Sequence, residues 1–185
     1  TQHDWSHRKD TLLAAIDDLY PKVSVVVLCY NNLEFTQNCV KSLLGMGAYP
    51  NIEIIMVDNG STDGTFDYLE QLEEETDNLS VITNKENLGF SAGNNVGIKQ
   101  ATGEYIILLN NDTYTTPGWV SGLIRHLRRN PNLGLVGPVT NNIGNEAISE
   151  IDFMIDVHVL STRPIFSHTF SYLWQKDCLF WPCFL

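Results

Sequence analysis

Tyr105-Ile106-Ile107-Leu108-Leu109-Asn110-Asn111-Asp112-Thr113 is the stretch on which the fold of this chain turns. Five mostly apolar residues fit a strand buried on both faces, and three amide or acid side chains follow at once. In an open α/β sheet, ligands bind in the crevice outside the carboxyl ends of the strands. Hard oxygen donors gathered at such an end suit Mg²⁺ or Mn²⁺ together with a phosphate. The same residues also fit an Asx-rich turn that merely ends a strand, so the rest of the chain has to decide between the two.

Working outward, strands and helices alternate. Apolar runs of strand length cover Val23 to Cys29, Ile52 to Val57, Leu79 to Thr83, Glu104 to Leu109 and Leu133 to Val139. Helical periodicity covers Asp10 to Tyr20, stopped by Pro21, then Leu33 to Leu44, Thr62 to Glu74, Ser91 to Ala101 and Pro117 to Arg129. Continuous rather than alternating apolar strands, separated by helices, imply an α/β fold with a mostly parallel sheet covered on both faces. Its connections are expected to be right-handed crossovers. Residues 1–21 read as an N-terminal helical extension, 22–150 as the main domain and 151–185 as an atypical tail without a clean helix or strand pattern.

The 185 residues suffice for one domain with a core. The net charge of −11 argues against a nucleic-acid partner held on a broad basic surface. Much of the acidic excess lies between Asp67 and Asp77 and reads as a solvated helix face. Backbone N–H groups and a metal still allow such a protein to bind phosphates locally. No apolar run reaches the roughly 20 residues of a membrane-spanning helix. Cys29, Cys39, Cys178 and Cys183 match no zinc spacing and read as reduced structural thiols of a cytosolic protein. The start, Thr1-Gln2-His3-Asp4-Trp5, is no signal peptide and lacks Met, which suggests a piece of something longer. The aromatic tail, Phe166 to Phe184, fits packing on the core, pairing with another subunit as a homo-oligomer, or the stub of a further segment. Peripheral membrane association has less support, because no basic helix face accompanies the aromatics.

Three loops at strand ends are rich in small polar residues. In Cys29-Tyr30-Asn31-Asn32, Tyr30 offers a ring to a base and Asn31 a donor–acceptor pair, while Asn31 or Asn32 also fits a helix cap. In Val57-Asp58-Asn59-Gly60-Ser61-Thr62-Asp63-Gly64-Thr65, Asp58 and Asn59 stand where a carboxylate or amide can read a base edge. Ser61 or Thr62 is expected to cap the next helix, with Asp63 in its first turn. In Asn87-Leu88-Gly89-Phe90-Ser91-Ala92-Gly93-Asn94-Asn95-Val96-Gly97, Gly93 and Gly97 fall on one helix face. Their cost to a helix, near 1 kcal/mol each, asks for close approach of a strand or ligand. Asn94 and Asn95 stand within reach of a diphosphate or metal. Neither the dinucleotide fingerprint nor the P-loop motif is present.

The ordered set V-S-V-V-V-L-C-Y-N-N, V-D-N-G-S-T-D-G-T, N-L-G-F-S-A-G-N-N-V-G and L-L-N-N-D-T resembles the family-2 glycosyltransferases of the GT-A fold, a Rossmann-like three-layer sandwich. It looks most like the rhamnosyltransferase-like members that build bacterial O-antigen and other cell-surface polysaccharides. The resemblance runs from about Lys22 to Ala147. It implies a nucleotide-diphosphate sugar donor (UDP-, dTDP- or GDP-linked), a saccharide or lipid-linked acceptor, Mg²⁺ or Mn²⁺, and inversion. Tyr30 and Asn31 with Asp58 and Asn59 would hold base and ribose, and Asn94 would lie near the donor. Asn110-Asn111-Asp112 takes the family's D-x-D-like position, with Asp112 as metal ligand and Asn111 facing ribose or diphosphate. The expected location is the cytoplasm, with the inner face of the membrane as the secondary option.

The chain departs from the pattern where Asn110, Asn111 and Asn59 replace the carboxylates of many members. One charged ligand weakens a metal site, although the diphosphate supplies oxygens of its own. Inversion also needs a base for the acceptor hydroxyl. Glu146, Glu150, Asp152, Asp156 and Asp177 are available, and no spacing selects one, so the catalytic residue is unassigned and the acceptor half is expected to be truncated or replaced. Two alternatives stand beside transfer: a non-catalytic nucleotide-sugar-binding module of a larger protein, and a nucleotidylyltransferase. The absence of Gly, Lys or Arg from Cys29 to Glu34 speaks against the latter.

Overall fold

The computed structural model describes residues 5–45, 49–137 and 157–161, the last as backbone. The elements run α1 (Trp5–Leu19), β1 (Val23–Cys29), α2 (Leu33–Leu44), β2 (Ile52–Asp58), α3 (Thr65–Glu75), β3 (Leu79–Thr83), α4 (Phe90–Gln100), β4 (Tyr105–Asn110), α5 (Trp119–Arg129), β5 (Leu135–Val136) and β6 (Val157–Ser161). The sheet order is β3-β2-β1-β4-β6-β5. Strands β1 to β4 are parallel, while β6 is antiparallel to both β4 and β5.

Successive strand residues point to opposite faces, and both faces are buried. On one, Val23, Val25, Val27, Ile54, Met56, Ile107 and Leu109 pack with Cys39, Val40 and Leu43 of α2, Leu69 of α3 and Val120, Ile124 and Leu127 of α5. On the other, Val26, Ile55, Val57, Ile106 and Leu108 pack with Val96 and Ile98 of α4. The β-branched residues that dominate β1 suit this pleated, doubly covered position. A Cβ on Gly97 would stand 2.4 Å from Val26 Cγ1 and 2.9 Å from Val57 Cγ2, and one on Gly93 would stand 2.6 Å from Leu28 Cδ1. The reason for the paired glycines is therefore close approach of α4 to the strands.

Several expected bounds shift. Helix α1 starts earlier than Asp10, and its apolar residues Leu12, Leu13, Ile16 and Leu19 are exposed and join neither core cluster. Helix α3 starts at Thr65 rather than Thr62, and α5 starts at Trp119, after Pro117. Strand β6 lies within the segment read as a patternless tail, yet it pairs with β4 from Tyr105↔Ser161 to Leu109↔Val157. Five residues with His158 among them carry too little alternation to stand out in sequence. The rest of the tail, including Cys178, Cys183 and the aromatics, lies outside the described residues.

Candidate functional site

Strands β1, β2 and β4 end level with one another, with Cys29 opposite Asp58 and Leu28 opposite Asn110. The chain proceeds from β1 to β2 and β3 on one side, then places β4 on the other side of β1. The crevice between β1 and β4 is thus a topological switch point, the preferred ligand position in such sheets. The loops after β1, β2 and β4 meet at this edge.

After β4, Thr113 N–H donates to the Asn110 carbonyl (3.3 Å), making Asn111 and Asp112 the two central residues of a tight turn. Asn111 turns inward. Its Nδ2 donates to Thr36 Oγ1 (3.0 Å) and, at 3.5 Å, to the Asn31 carbonyl. Thr113 and Thr115 are buried, and Thr115 N–H donates to Ser42 Oγ (2.9 Å). With its neighbours pinned to α2, Asp112 is left facing solvent. Burial and then the Asp112 carboxylate push the Cys39 thiol up to about 12, so that buried thiol is inert at neutral pH. Among the described residues no group of three His, Cys, Asp or Glu side chains could hold a metal. One exposed carboxylate is nonetheless the usual protein share of a Mg²⁺ site whose other ligands are substrate phosphates and water. The corner therefore fits an ion that arrives with a diphosphate.

After β1, Tyr30 is 46% exposed, and Asn31 and Asn32 have φ of 55° and 56°. Asn is among the few residues that adopt this left-handed region readily. Asn31 N–H donates to Ser61 Oγ (2.8 Å) and Asn31 Oδ1 accepts from Thr62 N–H (2.9 Å), tying the first loop to the second. The expected caps are corrected here. Asn32 occupies the N-cap of α2 without a side-chain bond. Asp63 Oδ2 accepts from Leu33 N–H instead (3.0 Å), and its Oδ1 accepts from Thr65 N–H (3.2 Å) and Thr65 Oγ1 (2.6 Å). One carboxylate thus serves the starts of α2 and α3, and the Thr65 hydroxyl leads the bonds that lower its pKa. Ser61 and Thr62 do not cap α3, which starts at Thr65 with Gly64 at its N-cap; Ser61 Oγ and Thr62 N–H engage Asn31 instead.

After β2, Asp58 is 1% exposed and its carboxylate accepts from Ser61 N–H at 3.2 and 3.4 Å. Asn59 is 2% exposed. Its Nδ2 donates to Asn87 Oδ1 (2.8 Å) and Gly89 O (3.4 Å), and its Oδ1 accepts from Asn84 Nδ2 (3.1 Å) and Leu88 N–H (3.1 Å). Both donors and both acceptor positions of the amide are engaged, so none is left for a base or ribose. Asn94 is 1% exposed and its Nδ2 donates to the Phe90 carbonyl (2.9 Å). Sequence reasoning missed Thr36, Asn84 and Asn87; the Asn-rich turn beside Gly89 was the signal for the last two. The acids considered as general base, Glu146, Glu150, Asp152, Asp156 and Asp177, lie outside the described residues.

Solved structures of glycosyltransferases share this arrangement, and the fold is the GT-A fold. The chain belongs to glycosyl transferase family 2, whose family model matches residues 24–181. It is 32% identical over 117 residues to an uncharacterized glycosyltransferase of Haemophilus influenzae, covering 63% of this chain and 36% of that protein. It is also 32% identical over 114 residues to the poly-beta-1,6-N-acetyl-D-glucosamine synthase of Staphylococcus epidermidis, covering 62% and 27%. Among solved structures, the mannosyltransferase PcManGT of Pyrobaculum calidifontis, in complex with GDP-Man and Mn²⁺, superposes with a TM-score of 0.59. That match is 25% identical and covers 64% of this chain and 35% of that one. TarS 1–349 of S. aureus shares the fold, with a TM-score of 0.58 at 23% identity, covering 70% of this chain and 38% of that one. The chain thus spans about a third of the length of the first of these relatives.

Proposed function

We propose that the chain is the donor-binding part of a metal-dependent, inverting glycosyltransferase of cell-surface polysaccharide synthesis. It takes a sugar from a nucleotide diphosphate and passes it to a saccharide or lipid-linked acceptor, on the cytoplasmic side of the membrane. The observation that carries this reading is Asp112, a solvent-facing carboxylate on a turn whose neighbours are bound inward at the switch point. Family membership supports it, as does a structural relative that holds both GDP-Man and Mn²⁺.

In this reading the exposed ring of Tyr30 lies against the base or ribose, and Asp58 closes the base end of the crevice. Asn110 lies on the path to the diphosphate, Asn111 braces the turn from within through Thr36 and Asn31 rather than facing the ribose or diphosphate, and Asp112 binds Mg²⁺ or Mn²⁺. The ion supplies Lewis-acid neutralisation of the negative charge that develops on the departing diphosphate. Asn31 fixes the first loop against the second through its bonds to Ser61 and Thr62.

Calorimetric titration with UDP-, dTDP- and GDP-sugars, with and without Mn²⁺, tests the proposal. Mn²⁺-dependent binding of at least one class is expected, and no binding of any would overturn it. Binding without donor hydrolysis or transfer, if it persists in the protein carrying an acceptor-binding part, would favour a non-catalytic nucleotide-sugar module.

A further inference from the structure

The amide of Asn59 sits where β2, the 84–89 loop and the first turn of α4 meet. Its orientation follows from its partners. Leu88 N–H only donates and so faces Oδ1, whereas the Gly89 carbonyl only accepts and so faces Nδ2. Asn87 Oδ1 is fixed in turn, because it accepts from Gly89 N–H (2.8 Å) as well as from Asn59. The backbone continues the joint, with Asn59 N–H donating to Cys29 O and Asn84 N–H donating to Asp58 O, both at 2.8 Å. Gly60 lies against the same loop, since a Cβ there would stand 3.0 Å from Glu86 C. A Cβ on Gly93 would meet Asn59 Nδ2 at 3.3 Å.

We infer that Asn59 is a positioning residue of the donor site. Together with Asn84 and Asn87 it forms an amide latch that holds the 84–89 loop and the start of α4 against the strand end bearing Asp58. This rests on the reading of that edge as the donor site. The latch is matched to an amide and not to a carboxylate. In Asn59→Asp one oxygen keeps the two donors, Asn84 Nδ2 and Leu88 N–H. The other then faces two acceptors, Asn87 Oδ1 and Gly89 O, in a site closed to water. Burial and facing acceptors both disfavour the ionised form and raise its pKa. The titratable groups nearest in sequence on the packed segments are Asp58, Lys85 and Glu86, and they are common to the variant and the parent.

The test compares the parent chain with Asn59→Asp and Asn59→Leu. In the parent, the Leu88 and Gly89 amides are expected to exchange slowly with solvent; exchange at the rate of open loops would overturn the latch. A raised folded-state pKa leaves Asn59→Asp parent-like in acid and weakens it as pH rises. Its protection factors at Leu88 and Gly89 should therefore approach those of the parent only at about pH 4 and below, the ordinary range of an Asp carboxyl, and be at least tenfold lower at pH 8. The ratio of variant to parent Kd for a nucleotide sugar with Mn²⁺ should rise at least tenfold over the same range, and a ratio flat in pH would overturn the positioning role. Asn59→Leu should show the weakened state at every pH. Should it fail to fold, Asn59→Asp still decides the matter. Absence of nucleotide-sugar binding by the parent would sink the donor-site reading and the positioning role with it, and the exchange data would still report on the latch.

Discussion

Asn111 and Asp112 are neighbours in one turn, and the structure sends them in opposite directions. Asn111 is spent on Thr36 and Asn31, while Asp112 meets solvent. The single charge of the strand end is therefore its outward group. Asp112→Ala is expected to weaken Mn²⁺-dependent nucleotide-sugar binding at least tenfold, about 1.4 kcal/mol or more, with little change in thermal midpoint. Calorimetry beside a thermal melt checks both. That Asp112 faces solvent could be read from sequence, because a charge directly after a buried strand is seldom buried without a partner. Asn59 could not be read correctly. An amide at a strand end suggests a ligand contact, and only partners 25 to 30 residues downstream reveal that its bonds are already made.

At the scale of elements, helix α4 shows how local cost reveals packing. Two glycines on one helix face are unfavourable by propensity, and the structure supplies the reason in the methyl groups of Val26 and Val57. Gly97→Ala should destabilise by about 1–2 kcal/mol, the overpacking cost exceeding the gain in helix propensity. Gly122→Ala in α5, where a Cβ would meet nothing within 4 Å, should stabilise by up to about 1 kcal/mol. Denaturant unfolding of the pair separates the two effects. Asp63→Ala removes the caps of α2 and α3 together and should cost about 1 kcal/mol or more. The strands and helices were legible because their apolar periods are strong. Their caps were not, because Asp63 reaches α2 from a loop 30 residues on.

Across the whole molecule, the edge opposite the site is closed by Glu53. Its carboxylate pairs with Lys22 Nζ at 2.6 Å and accepts from Ser24 Oγ and, at 2.7 Å, from Thr102 N–H. These bonds join β1, β2 and the turn before β4. Burial opposes the charge, yet Lys22, Ser24 and Thr102 together hold the pKa at about 2, below its ordinary 4.5. A lowered folded-state pKa means the stabilisation is complete above about pH 4.5 and is lost as pH falls towards 2. It amounts to at most about 3 kcal/mol. Glu53→Gln should lower the thermal midpoint at pH 7 and flatten its fall in acid, while leaving nucleotide-sugar affinity unchanged because the site lies at the other edge. The parallel sheet, and the edge at which its polar loops gather, were legible in the chain as a whole. The antiparallel strand β6 was not, because its place depends on the exposed edge of β4 and not on its own pattern.

The central claim is that a divalent ion and a nucleotide diphosphate meet at Asp112. Paramagnetic broadening of backbone amide signals by Mn²⁺, in the presence of a nucleotide diphosphate, locates the ion directly. Selective broadening of Asn111, Asp112 and Thr113, then of Tyr30 and Asn31, is expected, with Glu53 and Thr102 at the far edge unaffected and the pattern abolished in Asp112→Ala. Broadening centred on the acidic face between Asp67 and Asp77, or a pattern unchanged in Asp112→Ala, would contradict the account.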